Sequence, residues 1–287
     1  MSGLDSEVYI SEIFSSFQGE GGTVRGSCFG KRQIFIRYQG CNLFRGEFGS
    51  HGCFWCDSPQ ARDLQQDTFQ YEIEPNSQKL KKGKNPIKIS IIIDIIRSLI
   101  TRDLHSISFT GGEPLYQKEL VVNLSKTLKK QGINYPLYLE TNGSIKIDDD
   151  MISQLANNFS YCCCDIKDKS SRAASNEMYN NLIKAELSFL KKFVDLDVDT
   201  FAKLVITSQT EMKEIELISK QLSKIQYSDG QVIGLAIQPV TLEEEEKSNK
   251  YSISLEFLND VFQAAASFIP TESLTLSIQA HKYLKLL

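Results

Sequence analysis

Cys41, Cys53 and Cys56 are the residues whose type and spacing most directly suggest chemistry. Cys53 and Cys56 form a C-x-x-C pair, and Cys41 stands twelve residues before Cys53. Three thiolates on one loop suit a metal or an iron–sulfur cluster. A [4Fe–4S] cluster held by only three cysteines keeps one iron free for a substrate or cofactor. A zinc loop completed by His51 fits the same residues, since structural zinc takes four nitrogen or sulfur ligands. Spacing leaves both open. Phe54 and Trp55 would shield a cluster from water, or simply pack. Further along, Phe109-Thr110-Gly111-Gly112-Glu113-Pro114 closes an apolar run. Adjacent glycines admit a ligand close to the backbone, whose N–H and C=O groups can hold an amino acid's ammonium and carboxylate. The same residues also make an ordinary tight turn.

The other cysteines read differently. Seven is an odd count, which argues against a disulfide framework. Cys162, Cys163 and Cys164 sit in an apolar run, where successive side chains of a strand face opposite ways. They cannot converge on one metal and read as small buried hydrophobes. Cys28 is isolated and reads as inert.

The elements that must position these residues follow from periodicity. Residues 33–38, 106–110, 137–140, 161–166, 201–206, 232–237 and 273–278 read as strands. Helices are expected at 118–131, stopped by Gly132, at 148–158, opened by three aspartates, and near 211–224 and 254–267. Another begins at Ser90 as its cap, with Ile91, Ile92, Ile95, Ile96, Leu99 and Ile100 on its apolar face. Strand–helix alternation implies a parallel sheet with right-handed crossovers. Each strand ends in polar or Gly-rich residues, and βα barrels carry their active sites at that edge. The expected fold is α/β, an incomplete TIM-type barrel of about six parallel strands with an N-terminal cluster loop. It forms one domain over 1–287, with residues 60–88, polar and Lys-rich, as an inserted excursion.

Composition narrows the classes. The chain has 287 residues, 41% hydrophobic and 24% charged, which excludes a disordered, collagen-like or coiled-coil architecture. No apolar stretch reaches the roughly 18 residues that cross a bilayer. The N-terminus lacks a signal-peptide layout, so the expected location is the cytoplasm. A net charge of −4 offers no basic excess for direct nucleic-acid binding.

The cysteine trio followed by GGEP resembles the radical S-adenosylmethionine superfamily. Glu12-Ile13-Phe14, Phe17-Gln18-Gly19-Glu20-Gly21, Phe35-Ile36-Arg37, Gly40-Cys41-Asn42-Leu43 and Cys53-Phe54-Trp55-Cys56-Asp57-Ser58 narrow it. With Glu140-Thr141-Asn142-Gly143, Gln238-Pro239 and Gln279-Ala280-His281-Lys282-Tyr283-Leu284, they resemble the 7-carboxy-7-deazaguanine synthases from residue 12 almost to the end. Family loops with expanded spacing are known. Here residues 42–52 separate the first two cysteines, against the three residues common in the superfamily.

The resemblance implies roles. Cys41, Cys53 and Cys56 would ligate a [4Fe–4S] cluster. Gly111, Gly112, Glu113, Thr141, Asn142, Asp165, Lys167, Gln238 and Asp57 would bind S-adenosylmethionine. Gln18, Glu20, Arg37, His281 and the terminal carboxylate of Leu287 would hold 6-carboxy-5,6,7,8-tetrahydropterin, with Glu20, Arg37 and His281 catalytic. Ser58, where the family usually has threonine, would hold Mg2+. These roles are chemically apt: a carboxylate asks for a bidentate guanidinium, and an amide and amino edge for a carboxylate and a carboxamide. The resemblance also implies a homodimer and a flavodoxin- or ferredoxin-type electron donor. The competing readings are a radical activase that generates a glycyl radical on a partner protein, and a zinc-stabilised binding module.

Overall fold

Ile34, Ile36 and Tyr38 join the main core while Phe35 and Arg37, between them, face a central cavity. This two-residue period recurs in strand after strand and fixes the fold. The computed structural model describes residues 3–242 and 250–286. Its strands are β1 (Glu7–Val8), β2 (Ile10–Phe17), β3 (Arg32–Tyr38), β4 (Thr68–Glu72), β5 (Leu80–Lys84) and β6 (Ile87–Lys88). They continue with β7 (Leu104–Gly111), β8 (Leu137–Thr141), β9 (Tyr161–Ile166), β10 (Asp199–Ile206), β11 (Gly234–Pro239) and β12 (Leu274–Leu276). The helices are α1 (Ile89–Leu99), α2 (Lys118–Lys130), α3 (Asp149–Ala156), α4 (Tyr179–Asp195), α5 (Met212–Leu222), α6 (Leu255–Ala266) and α7 (Ala280–Leu284).

Ten strands form one sheet in the order β12-β11-β10-β9-β8-β7-β3-β2-β4-β5. From β3 through β7 to β12 every pairing is parallel, so this is an α/β fold with a mostly parallel central sheet. Helices cover the outer face, where Ile107, Phe109, Leu139, Ala202, Leu204, Leu235 and Ile237 are buried. The cysteine run obeys the alternation. Cys162 and Cys164 pack outward into this core, while Cys163 points inward to a smaller cluster with Cys28, Tyr138 and Phe201. Among the described residues the sheet does not close by strand pairing. Instead the chain after β2 bridges its open side, with Gly21 N donating to Ser277 Oγ (2.8 Å) and Ala280 N to Gly19 O (3.0 Å). No helix among the described residues is long and apolar enough to cross a membrane.

Several expectations are corrected. Ser90 does not cap α1. The helix starts at Ile89, whose N–H is held by Ser6 O (2.9 Å), and β6 runs straight into it. On that helix Ile91 is 49% exposed, whereas Ile89 and Ile93 are buried. Within residues 60–88, β4 pairs with β2 and β5 with β4, so this polar segment extends the edge of the sheet. Glu72 anchors that edge, fully buried and accepting from Ser15 N (2.8 Å) and Ser15 Oγ (2.5 Å).

Candidate functional site

The cavity lies at the carboxyl ends of the parallel strands and is lined from nearly every one of them. Arg37 and Thr110 stand side by side on β3 and β7, Glu140 beside Cys163 on β8 and β9, and Asp165 beside Lys203 on β9 and β10. Gln238 adds from β11, and Gln279 and His281 follow β12. Gln18, Gly19 and Glu20 enter across the open side.

Cys41, Cys53 and Cys56 share this cavity. The expanded loop that carries them is a packed element. Leu43 and Phe48 bury against Ala173 and Leu182, and Phe48 O accepts from Ser175 N (2.9 Å). Burial pushes the Cys41 thiol up to about 11 and the Cys53 thiol up to about 12. Cys56 adds to both shifts, and Lys167 pulls the second down. Three thiols lining one cavity, each partly open to it, make a fitting donor set for a cluster carrying positive iron. Among the described residues no three His, Cys, Asp or Glu side chains converge at single-ion spacing, and His51 is exposed. The zinc loop therefore has no preformed tetrahedral site.

The Gly111–Glu113 turn is locked onto the strand beside it. Gly111 has φ +133°, and a Cβ there would stand 2.3 Å from Tyr38 N; one on Gly112 would stand 2.3 Å from Gly40 O. Only glycine fits either position. The N–H groups of Gly112 and Glu113 donate to Tyr38 O (3.0 Å) and Gly40 O (2.7 Å). These two N–H groups thus hold the turn in place, while Gly111, Gly112 and Glu113 still line the cavity. Glu113 is also turned inward. It accepts from Leu115 N (2.9 Å), Thr141 Oγ1 (2.7 Å) and Asn142 N (2.7 Å), and burial raises its carboxyl to about 7. Asn142 ties this turn to the cysteine loop by donating to Asn42 Oδ1 (3.0 Å).

Opposite lies a charged floor. Lys203 contacts Glu20, and Asp165 receives Lys203 (3.1 Å) and Lys167 (2.9 Å). Against its burial, those two ammonium groups hold Asp165 down at about 2. Gln279 and Gln238 donate to Glu20 Oε1 at 2.8 and 3.3 Å. Gln18 donates to Glu140 Oε1 (2.5 Å), whose carboxyl burial raises. Arg37 pairs with Glu12 (2.8 Å) and donates to Ser58 Oγ (2.5 Å). Desolvation opposes ionisation of Asp57, but Arg37, Lys203 and Lys282 hold it below the usual carboxylate range. Burial lowers His281, so its imidazole is neutral near pH 7. Phe14 and Phe35 stack at 5.2 Å as an apolar wall. Leu287 lies outside the described residues.

Sequence reading missed Glu12, Glu140 and Lys203 as parts of the site. Lys203 carried a signal, being the single charge within the apolar run FAKLVI. A charge in a buried strand needs a partner.

No protein-family model matches the chain. The 7-carboxy-7-deazaguanine synthase of Thermococcus kodakarensis is 32% identical over 98% of this chain and 99% of its own. That of Methanocaldococcus jannaschii is 33% identical over 97% and 100%. The crystal structure of QueE from Escherichia coli superposes with a TM-score of 0.53 at 18% identity, covering 96% of this chain and 95% of that one, which supports the fold. Identity above 30% along almost the entire length places this chain in the 7-carboxy-7-deazaguanine synthase family, a family of enzymes.

Proposed function

We propose that the chain converts 6-carboxy-5,6,7,8-tetrahydropterin to 7-carboxy-7-deazaguanine, a ring contraction with loss of ammonia. The observation that carries this reading is that Gln18, Glu20, Arg37 and His281 line the same cavity as Cys41, Cys53 and Cys56. In this reading the three cysteines ligate a [4Fe–4S] cluster. S-adenosylmethionine lies against Gly111, Gly112, Glu113, Thr141, Asn142, Asp165, Lys167, Gln238 and Asp57. When bound, cluster and cofactor supply the radical that abstracts hydrogen from C6 of the pterin.

This chain's residues supply position and a dry site. Arg37, oriented by Glu12, takes the pterin carboxylate, and Glu20 accepts from the amide and amino edge. Gln18 adds a carboxamide beside Glu140. The stacked Phe14 and Phe35 offer a face for the bicyclic ring. Neutral His281 can donate or accept at its ring nitrogens. Ser58 presents a hydroxyl, a hard oxygen of the kind Mg2+ prefers, and would hold an ion that orients the substrate carboxylate. The enzyme works as a single domain and a cytoplasmic homodimer, reduced by a flavodoxin- or ferredoxin-type donor. Its product feeds deazapurine synthesis of the queuosine or archaeosine type.

Anaerobically reconstituted protein, given the pterin, S-adenosylmethionine, Mg2+ and a reductant, is expected to yield 7-carboxy-7-deazaguanine by mass spectrometry. Recovery of 5′-deoxyadenosine with intact pterin would refute the reading and favour the activase.

A further inference from the structure

The two sides of the cavity are joined through a residue that no motif marks. Lys203 sits on β10 with its side chain 10% exposed, turned toward the barrel interior. Its ammonium contacts Oε2 of Glu20 and stands 3.1 Å from Oδ1 of Asp165. Asp165 gives its other oxygen to Lys167 (2.9 Å), which lines the same cavity as Cys53. Charges therefore alternate from Glu20 through Lys203 and Asp165 to Lys167, from the open side of the barrel to the cysteine loop.

A buried ammonium is tolerated only when its partners are close and hydrogen-bonded. The sequence keeps one here instead of a leucine or valine, and the contacts indicate its use. Gln279 and Gln238 both serve Oε1 of Glu20, whereas Lys203 serves Oε2. Without Lys203 nothing holds Oε2, and the carboxylate is free to rotate about the oxygen that Gln279 and Gln238 hold.

Building on the pterin reading above, we propose that Lys203 is a positioning residue: one ammonium fixes Glu20 on the substrate side and Asp165 on the cofactor side, and acts on the pterin through Glu20. The test is a double-mutant cycle of Lys203→Met and Glu20→Gln in reconstituted holoenzyme. Its readout is the pterin dissociation constant by equilibrium titration with S-adenosylmethionine present. Lys203→Met is expected to weaken binding at least tenfold in the wild-type background and less than threefold in the Glu20→Gln background. Equal factors in both backgrounds, or wild-type binding by Lys203→Met, would overturn the proposal. Lys203→Arg, which keeps the charge but shifts it, runs the same cycle should the methionine variant fail to fold. The cycle reads binding alone, so it judges Lys203 separately from whether the pterin is converted.

Discussion

Gly19 is where a single methyl group tests the architecture of the site. Its backbone is not in the left-handed region, so alanine is conformationally acceptable there. Space is what alanine lacks. A Cβ on residue 19 would lie 2.5 Å from His281 Nδ1 and 2.8 Å from His281 N. The second neighbour is backbone and cannot swing aside, and Ala280 N is bonded to Gly19 O (3.0 Å). The start of helix α7, which carries His281, must therefore move by several tenths of an ångström or more. Overpacking of this kind costs about 1–3 kcal/mol, and each kcal/mol lowers Tm by roughly 2–4 °C in a chain of this size class. A misplacement of about 1 Å at a reacting centre can lower kcat/KM about 100-fold. The cysteine loop is packed separately through Leu43 and Phe48, so Gly19→Ala should retain its cluster chromophore. The assay is product formation, a thermal melt and the visible spectrum of anaerobic protein. Wild-type turnover with an unchanged Tm would show that the close approach of Gly19 to His281 does not govern the site.

Arg37→Ala leaves Glu12, about one-fifth exposed, without its partner and is expected to lower kcat/KM by about 100-fold or more, with Arg37→Lys recovering only part. Steady-state kinetics on the pterin decide it, and near-normal turnover of the alanine variant would contradict the role. Ser58→Ala should keep the cluster yet raise the Mg2+ concentration needed for half-maximal activity, whereas Ser58→Thr should not; a Mg2+ titration distinguishes them. Burial raises Glu113 to about 7 in the folded chain, above its ordinary 4.5. The stability from its neutral burial is therefore full below about pH 4.5 and is lost as pH rises toward 7, by up to about 3 kcal/mol. Urea unfolding of wild type against Glu113→Gln across that window checks the sign: the wild type should lose relative stability as pH rises.

Much of the barrel was legible because burial on a sheet imposes a period of two. Strands β7 to β12 announced themselves by apolar runs ending in polar turns, and the cysteine run fell on alternate faces as that period demands. Strand β2 was not legible, being buried on both faces so that no alternation shows. Helix α4 was missed although Leu182, Ile183, Phe189, Leu190, Phe193 and Val194 repeat at helical spacing, because buried Glu186 interrupts the apolar stripe.

What the sequence determined alone was therefore local: the cysteine spacing, the glycine pair at the end of β7 and the succession of strands from β7 to β12. Which side chains meet was decided by tertiary structure. Glu20 reaches Lys203 across 183 positions and Gln279 across 259, and Gln18 reaches Glu140 across 122. Such contacts depend on the register of parallel strands and on how the open side of the barrel is bridged. Neither leaves a periodic trace in the chain, because each is set by the packing of distant segments around a shared core.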